Sequence, residues 1–233
     1  MNLIRKGHGH AHRGVIGVES AIVMIAFVIV AAALAFVVLN MGFSTTQKAK
    51  TTIISGLSEA SSSLEISGKV TGIQNGAPDT DQLKVLAVPI KIASGGDSVN
   101  LANTTASIKY LSNTVEYDDI YAAAITSDNA QNVTQGFELA TIDIPTTFTV
   151  NPVNQTYTGP TTAIIYWTVG AGNAILDQGE HAVVAIAYDT DSNPVEEPSA
   201  LDKVRLEILL PTGAPLTIER DVPNITNTVV DLG

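Results

Sequence analysis

Nineteen consecutive residues, Ala21 to Leu39 (AIVMIAFVIVAAALAFVVL), carry no polar side chain. A run of that length matches an α-helix crossing the hydrocarbon core of a bilayer. Being apolar on every side, it must be covered by lipid or by other protein. No proline occurs from Val15 to Ser67, so the sequence predicts one helix over residues 15–67, roughly 80 Å long at ~1.5 Å per residue. Its first part is apolar all round. Its second part is amphipathic, with Ile53, Leu57, Ala60 and Leu64 at helical spacing. Gly68 stands where a C-cap is expected, and the amphipathic part is expected to dock against whatever follows.

Ahead of the run lies MNLIRKGHGHAHRG, with Arg5, Lys6 and Arg13 and no acid. A basic segment before an apolar run is a targeting signature, and its positive charge tends to stay cytoplasmic. After the run, VVLNMGFST offers no convincing small-residue cleavage site, so the expected cut lies before it, after Gly14. The alternating His8, His10 and His12 sit in this removable leader. Metal sites need ligands converged by a fold, and none is expected here.

Beyond residue 68 the pattern changes to period two, the mark of half-buried strands. In Lys203–Leu210, Val204, Leu206, Ile208 and Leu210 alternate with Lys203, Arg205 and Glu207, and residues 216–222 alternate likewise. Residues 83–92, 105–111, 140–144, 163–169 and 182–188 complete an expected set of seven or more strands, with Pro89 marking its strand as an edge. The fold class expected is α+β: a long N-terminal hydrophobic helix, then a β-sandwich or barrel head of immunoglobulin-like kind. No cysteine is present, so the head relies on packing rather than on disulfides. Removal of residues 1–14 leaves nine Lys and Arg against 23 acids, a net of −14. That balance argues against nucleic acid as a partner and suits solubility at a cell exterior.

The junction Arg13-Gly14 | Val15 resembles a class III, type IV pilin-like signal, which a membrane peptidase cuts after a glycine. The resemblance puts Glu19 at mature position five, where type IV pilins carry a glutamate. Over residues 13–50 the chain resembles more specifically the N-terminal domain of archaeal flagellins (archaellins). Arg13-Gly14, Gly17 at mature position three, and Asn40-Met41-Gly42 followed by Thr45-Thr46-Gln47-Lys48 carry the likeness. The ending ERDVP…NTVVDLG is similar too, more weakly, and the middle of the chain has no comparable motif. Two departures stand out: Val15 replaces the aromatic with which bacterial pilins usually begin, and several archaellins lack an acid at mature position five.

The resemblance implies a three-part chain: residues 1–14 a removed signal, 15–67 a helix in a filament core, and 68–233 a β-rich outer head. It implies a structural subunit of an archaeal motility filament, polymerising with copies of itself at the cell surface. The precursor would be held in the cytoplasmic membrane and handled there by a prepilin-type peptidase and assembly machinery. An adhesion pilin or a membrane-anchored binding protein would use the same helix and stays open.

Two readings of Glu19 also stay open: pairing with the Val15 amine of a neighbouring subunit, or reaching water and the helix N-terminal dipole. Archaellins are commonly N-glycosylated, so the sequons at Asn103, Asn132, Asn154 and Asn224 are expected modification sites. No catalytic or cofactor-binding motif occurs. Asp177, Gly179 and Glu180 are expected to shape a turn, and the Glu180–His181 pair to be a solvated strand edge. Asp189, Asp191 and Asn193 space oxygens like the start of a calcium loop but lack its glycine and its twelfth-position glutamate, and no metal is expected.

Overall fold

The computed structural model describes residues 13–61, 64–74, 81–170, 172–192 and 195–233. The chain divides into two compact units, residues 1–55 and 56–233. The leader histidines and Asn193 lie outside the described residues. One helix, α1 (Arg13–Ser61), has 49 residues, a length of roughly 73 Å. It ends earlier than its apolar spacing predicts. Leu64 is instead buried in a strand, β1 (Leu64–Ile66), and Gly68 follows that strand rather than capping the helix. The cause is legible in SSSLEIS: serines compete for backbone hydrogen bonds and favour helix ends, and Leu-Glu-Ile then alternates as a strand does. Ile53 and Leu57 are 68% and 67% exposed.

The remaining strands are β2 (Thr71–Gln74), β3 (Leu83–Ile92), β4 (Val99–Asn100), β5 (Ser107–Leu111), β6 (Glu116–Tyr117), β7 (Tyr121–Ile125) and β8 (Thr162–Val169). After them come β9 (Ile175–Leu176), β10 (His181–Ala187), β11 (Lys203–Leu209), β12 (Leu216–Asp221) and β13 (Val229–Asp231). A second helix, α2 (Val133–Asp143), interrupts them. The larger sheet runs β13-β2-β3-β10-β8-β7, with β1 also on β3; a four-stranded sheet runs β12-β11-β5-β6, and β4 pairs with β9. All pairings are antiparallel except β7 with β8.

A sandwich core joins the two main sheets. Leu86, Val88, Ile90, Ile165, Trp167, Val184 and Ile186 of the larger sheet pack with Ile108, Tyr110, Val204, Leu206 and Ile208 of the smaller. On the opposite face of the larger sheet, Val85, Ala87, Ile164, Tyr166, Val183 and Ala185 pack under Phe137, Ala140, Phe148 and Tyr157. The central strands are therefore covered on both sides, which is why β10 reads HAVVAIA, nearly all apolar, rather than alternating. β11, covered on one side, alternates as expected, with Val204, Leu206 and Ile208 buried.

Two expectations are corrected here. Residues 140–144 were expected as a strand, but 140–143 form the end of α2 and Ile144 is its C-cap. Asn132 caps the other end, its Oδ1 accepting from the Gln135 N–H at 2.9 Å, and Gly136, Phe137 and Ala140 make a buried helical face. Pro89, expected at an edge, sits in the interior strand β3, opposite Val183 of β10. Its carbonyl accepts from the Ser67 N–H at 2.9 Å, between the ends of the β1 and β2 pairings. Within one strand residue the N and O face the same neighbour. The missing N–H therefore points into the gap between two strands, where no ladder bond is lost.

Candidate functional site

Thirteen large apolar side chains between Ile22 and Leu39 are exposed on α1, among them Phe27 at 71% and Leu39 at 75%. At ~1.5–3 kcal/mol each on removal from water, they hold on the order of 20–40 kcal/mol per chain in burial not yet made. Residues 17–57 form a helix long and apolar enough to cross a membrane. Ala31, Ala32, Ala33 and Ala35 interrupt the bulky residues and let neighbouring backbones approach closely.

The polar half of α1 is prepared for burial as well, which spacing alone does not reveal. The hydroxyls of Thr45, Thr46, Thr51 and Thr52 donate to the carbonyls of Met41, Gly42, Gln47 and Lys48 at 2.8, 2.7, 2.9 and 3.0 Å. A hydroxyl satisfied within its own helix can leave water without an unmade bond. The available signal was the Thr-Thr doublets at 45–46 and 51–52, about one and two-thirds helical turns apart. At the N-terminal end, Gly14, Val15 and Glu19 fall in the first two turns of α1, and Glu19 is exposed.

The structure places all four sequon asparagines at exposed positions, yet it does not treat them alike. The Asn103 Nδ2, the atom a glycan would occupy, donates to the Ala122 carbonyl on edge strand β7 at 2.6 Å. Asn132 spends its Oδ1 on the helix cap. Asn154 stands on a turn built by buried Asn151, whose carbonyl accepts from the Asn154 N–H at 3.1 Å. Asn151 Nδ2 also donates to the Thr134 carbonyl at 2.9 Å, so one buried residue, through its carbonyl and its side chain, ties the 132–134 and 154 sequons together. Asn224 lies in the connection between β12 and β13.

Replacing Thr134 by Ala removes a sequon but keeps the Asn132 cap, whereas replacing Asn132 by Ala removes both. The expected result is loss of one glycan mass with Thr134→Ala at unchanged melting temperature, and ~1 kcal/mol of extra destabilisation with Asn132→Ala. Intact-mass spectrometry and thermal unfolding check the pair.

The other polar groups serve the fold. The turn before β10 forms as expected: Glu180 N–H donates to the Asp177 carbonyl at 3.1 Å, Asp177 N–H to Glu180 Oε2 at 3.0 Å, and Gly179 takes φ 93°. Asp189 Oδ1 accepts from the Asp191 N–H at 3.0 Å. Nearby, Glu196 accepts from the Tyr117 and Thr161 hydroxyls, and that bond pushes the Tyr117 phenol up to about 12. Among the described residues no three His, Asp or Glu side chains gather as a metal set. On the surface Lys69, Lys91, Lys109 and Lys203 all pair with acids. Residues 62–233 carry seven cations against 21 acids, so the net field stays negative.

Comparison with known proteins finds similarity over most of the chain. The family model for archaeal-type flagellin matches residues 14–220. Probable flagellin 1 of Aeropyrum pernix is 34% identical over 212 residues, 91% of this chain and 92% of the relative. Probable flagellin 2 of Archaeoglobus fulgidus is 30% identical over 221 residues, 91% of this chain and 90% of the relative. Among solved structures, the archaeal flagellum of Methanospirillum hungatei strain JF1 aligns with a TM-score of 0.57 at 23% identity, over 93% of this chain and 99% of that one. The crystal structure of archaeal flagellin FlaB1 from Methanocaldococcus jannaschii aligns at 0.52 and 17% identity, over 73% and 96%. At those identities the likeness is one of fold.

Proposed function

The chain belongs to the archaeal-type flagellin family, and from that membership we infer how its parts are used. It is a structural subunit of the archaeal flagellar filament, self-assembling outside the cell into a helical polymer. The observation that carries the rest is the stretch Ala21–Leu39 of α1, apolar on all sides and exposed on all sides. No single chain of this kind satisfies such a helix; a bundle of copies does.

We propose three stages. The precursor is held in the cytoplasmic membrane by residues 21–39, with its basic leader inside. A prepilin-type peptidase cuts between Gly14 and Val15 and removes residues 1–14. Assembly machinery then moves the helix, from Val15 to the end of α1 at Ser61, from lipid into the filament core and leaves β1 and the rest of the chain outside as the head. Leaving lipid forfeits much of the hydrophobic gain, so the transfer needs an energy source beyond burial. The role is structural rather than catalytic.

Electron microscopy of sheared surface filaments, with mass spectrometry of their subunits, tests this reading. The subunit is expected to begin at Val15, and Gly14→Leu is expected to leave uncut precursor in the membrane. A filament subunit starting at Met1, or beyond Leu39, overturns the processing scheme.

Glu19 lies four residues from the amine that cleavage would create. We propose that the carboxylate of one subunit meets the Val15 amine of another and fixes axial register, since an unpaired charge in a dry core costs several kcal/mol. Glu19→Gln is then expected to process normally while subunits accumulate in the membrane. Filaments at wild-type yield would leave Glu19 as a solvated residue near the helix start.

A further inference from the structure

Leu201 is the one non-glycine residue with positive φ, 72°, among the described residues. It is also the most exposed large apolar side chain on the head, at 80%. A branched side chain in the left-handed region is strained, and at the third position of a hydrogen-bonded turn glycine or asparagine is the usual solution. Here that turn is Ser199–Asp202, closed by the Asp202 N–H on the Ser199 carbonyl at 3.1 Å. The surroundings hold it. Asp202 Oδ2 accepts from the Ser199 N–H and Oδ1 from Asn113 Nδ2, both at 2.8 Å. Ala200 N–H donates to the Asp81 carbonyl at 3.2 Å, and Leu201 N–H to that of Val222 at 2.8 Å. The turn is thus bolted to three other segments of the head while its leucine points into solvent.

At 80% exposure the side chain buries little in its own head, and glycine would take this backbone angle with less strain. We infer that Leu201 is a preformed contact knob whose occupant is the head of a second copy of this chain. This rests on the reading of the chain as a filament subunit, because only a homopolymer presents the same neighbour to every copy at one fixed geometry. A head-to-tail polymer uses two unlike patches per subunit. The next most exposed large apolar residue on the head, Ile142 at 72%, lies on a different element, α2. Because the turn is already rigid, docking the knob orders little else.

The chain contains no cysteine, so Leu201→Cys introduces a unique thiol. Maleimide labelling is compared in sheared filaments and in detergent-dissociated full-length subunits. The expected result is at least a tenfold slower reaction in filaments; equal rates overturn the inference. Leu201→Gly and Leu201→Asn give the second arm. Both are expected to keep or raise the melting temperature of the dissociated subunit, by up to about 4 °C, while lowering the temperature at which purified filaments dissociate. A lowered subunit melting temperature means the leucine serves its own head, and unchanged filament dissociation means no neighbour holds it; either result overturns the proposal. Wild-type chain that forms no filaments at all would instead sink the filament reading itself.

Discussion

Ala32→Asp is expected to abolish the filament. Ala32 lies in the middle of the 19-residue apolar run, on a helix none of whose described side chains from Val18 to Leu57 is buried within the chain. An aspartate at the centre of a membrane helix costs ~2.5–3.5 kcal/mol on insertion, which a run this apolar tolerates. In a dry protein core the same carboxylate would cost several kcal/mol without a partner, and the cost recurs in every subunit of the polymer. The variant should therefore reach the membrane and be cut after Gly14, yet leave no filaments to shear. Ala32→Ser is the control, since a serine hydroxyl can bond back to its own helix as the threonines of α1 do. Immunoblots of membrane and filament fractions separate the two steps. Wild-type filament yield for Ala32→Asp would mean the run is not buried on assembly.

A second large effect is expected at Gly136, where the sign runs against helix propensity. In a helix interior, Gly→Ala is usually stabilising by up to ~1 kcal/mol. At Gly136, however, a Cβ would lie 2.5 and 2.6 Å from Cδ1 and Cε1 of Tyr166. Tyr166 is itself only 1% exposed, in the core that also holds the stacked Phe148 and Tyr157. The ring has nowhere to go, so α2 must lift from the sheet at an overpacking cost of ~1–3 kcal/mol for Ala and more for Val. At ~2–4 °C per kcal/mol for a domain of this size, melting by circular dichroism resolves the loss. Gly56, in α1, has nothing within 4 Å of a built Cβ, and Gly56→Ala is expected to be neutral or stabilising in the dissociated subunit. Equal effects at both glycines would mean that α2 does not rest on Tyr166 as described.

The parts of this molecule legible in sequence are those whose partners are absent or regular. α1 declares itself because its run of apolar residues is unbroken, and β11 because one face meets water. Misreadings arise where a third layer intervenes. Five residues, ATIDI, look like a strand when taken alone. Only the Asn132 cap and the buried row Gly136, Phe137, Ala140 make them the end of a helix, and that row is buried because Tyr166 and Phe148 happen to lie beneath it. Pro89 misled for a different reason: the rule about edges assumes an unbroken neighbouring strand, and β3 has two short neighbours with a gap between them. For the candidate sites, sequence located the sequons but not their difference in standing, which comes from what lies opposite each amide. Leu201 carried no signal at all, since its backbone angle is dictated by Asp81, Asn113 and Val222 from elsewhere in the chain.

β1 is short, but its direction matters mechanically. Its three residues pair antiparallel with Ile90–Ile92, the last turns of β3, with Leu64 opposite Ile92. The polypeptide from α1 thus reaches the sheet at the finishing end of its longest strand. Force directed along β1 acts parallel to the strand, across bonds that run perpendicular to it. The load is shared by all three pairs in shear, with the Glu65–Lys91 ion pair at 3.0 Å beside them, instead of peeling them one by one. A joint loaded in that direction yields far later than one that unzips.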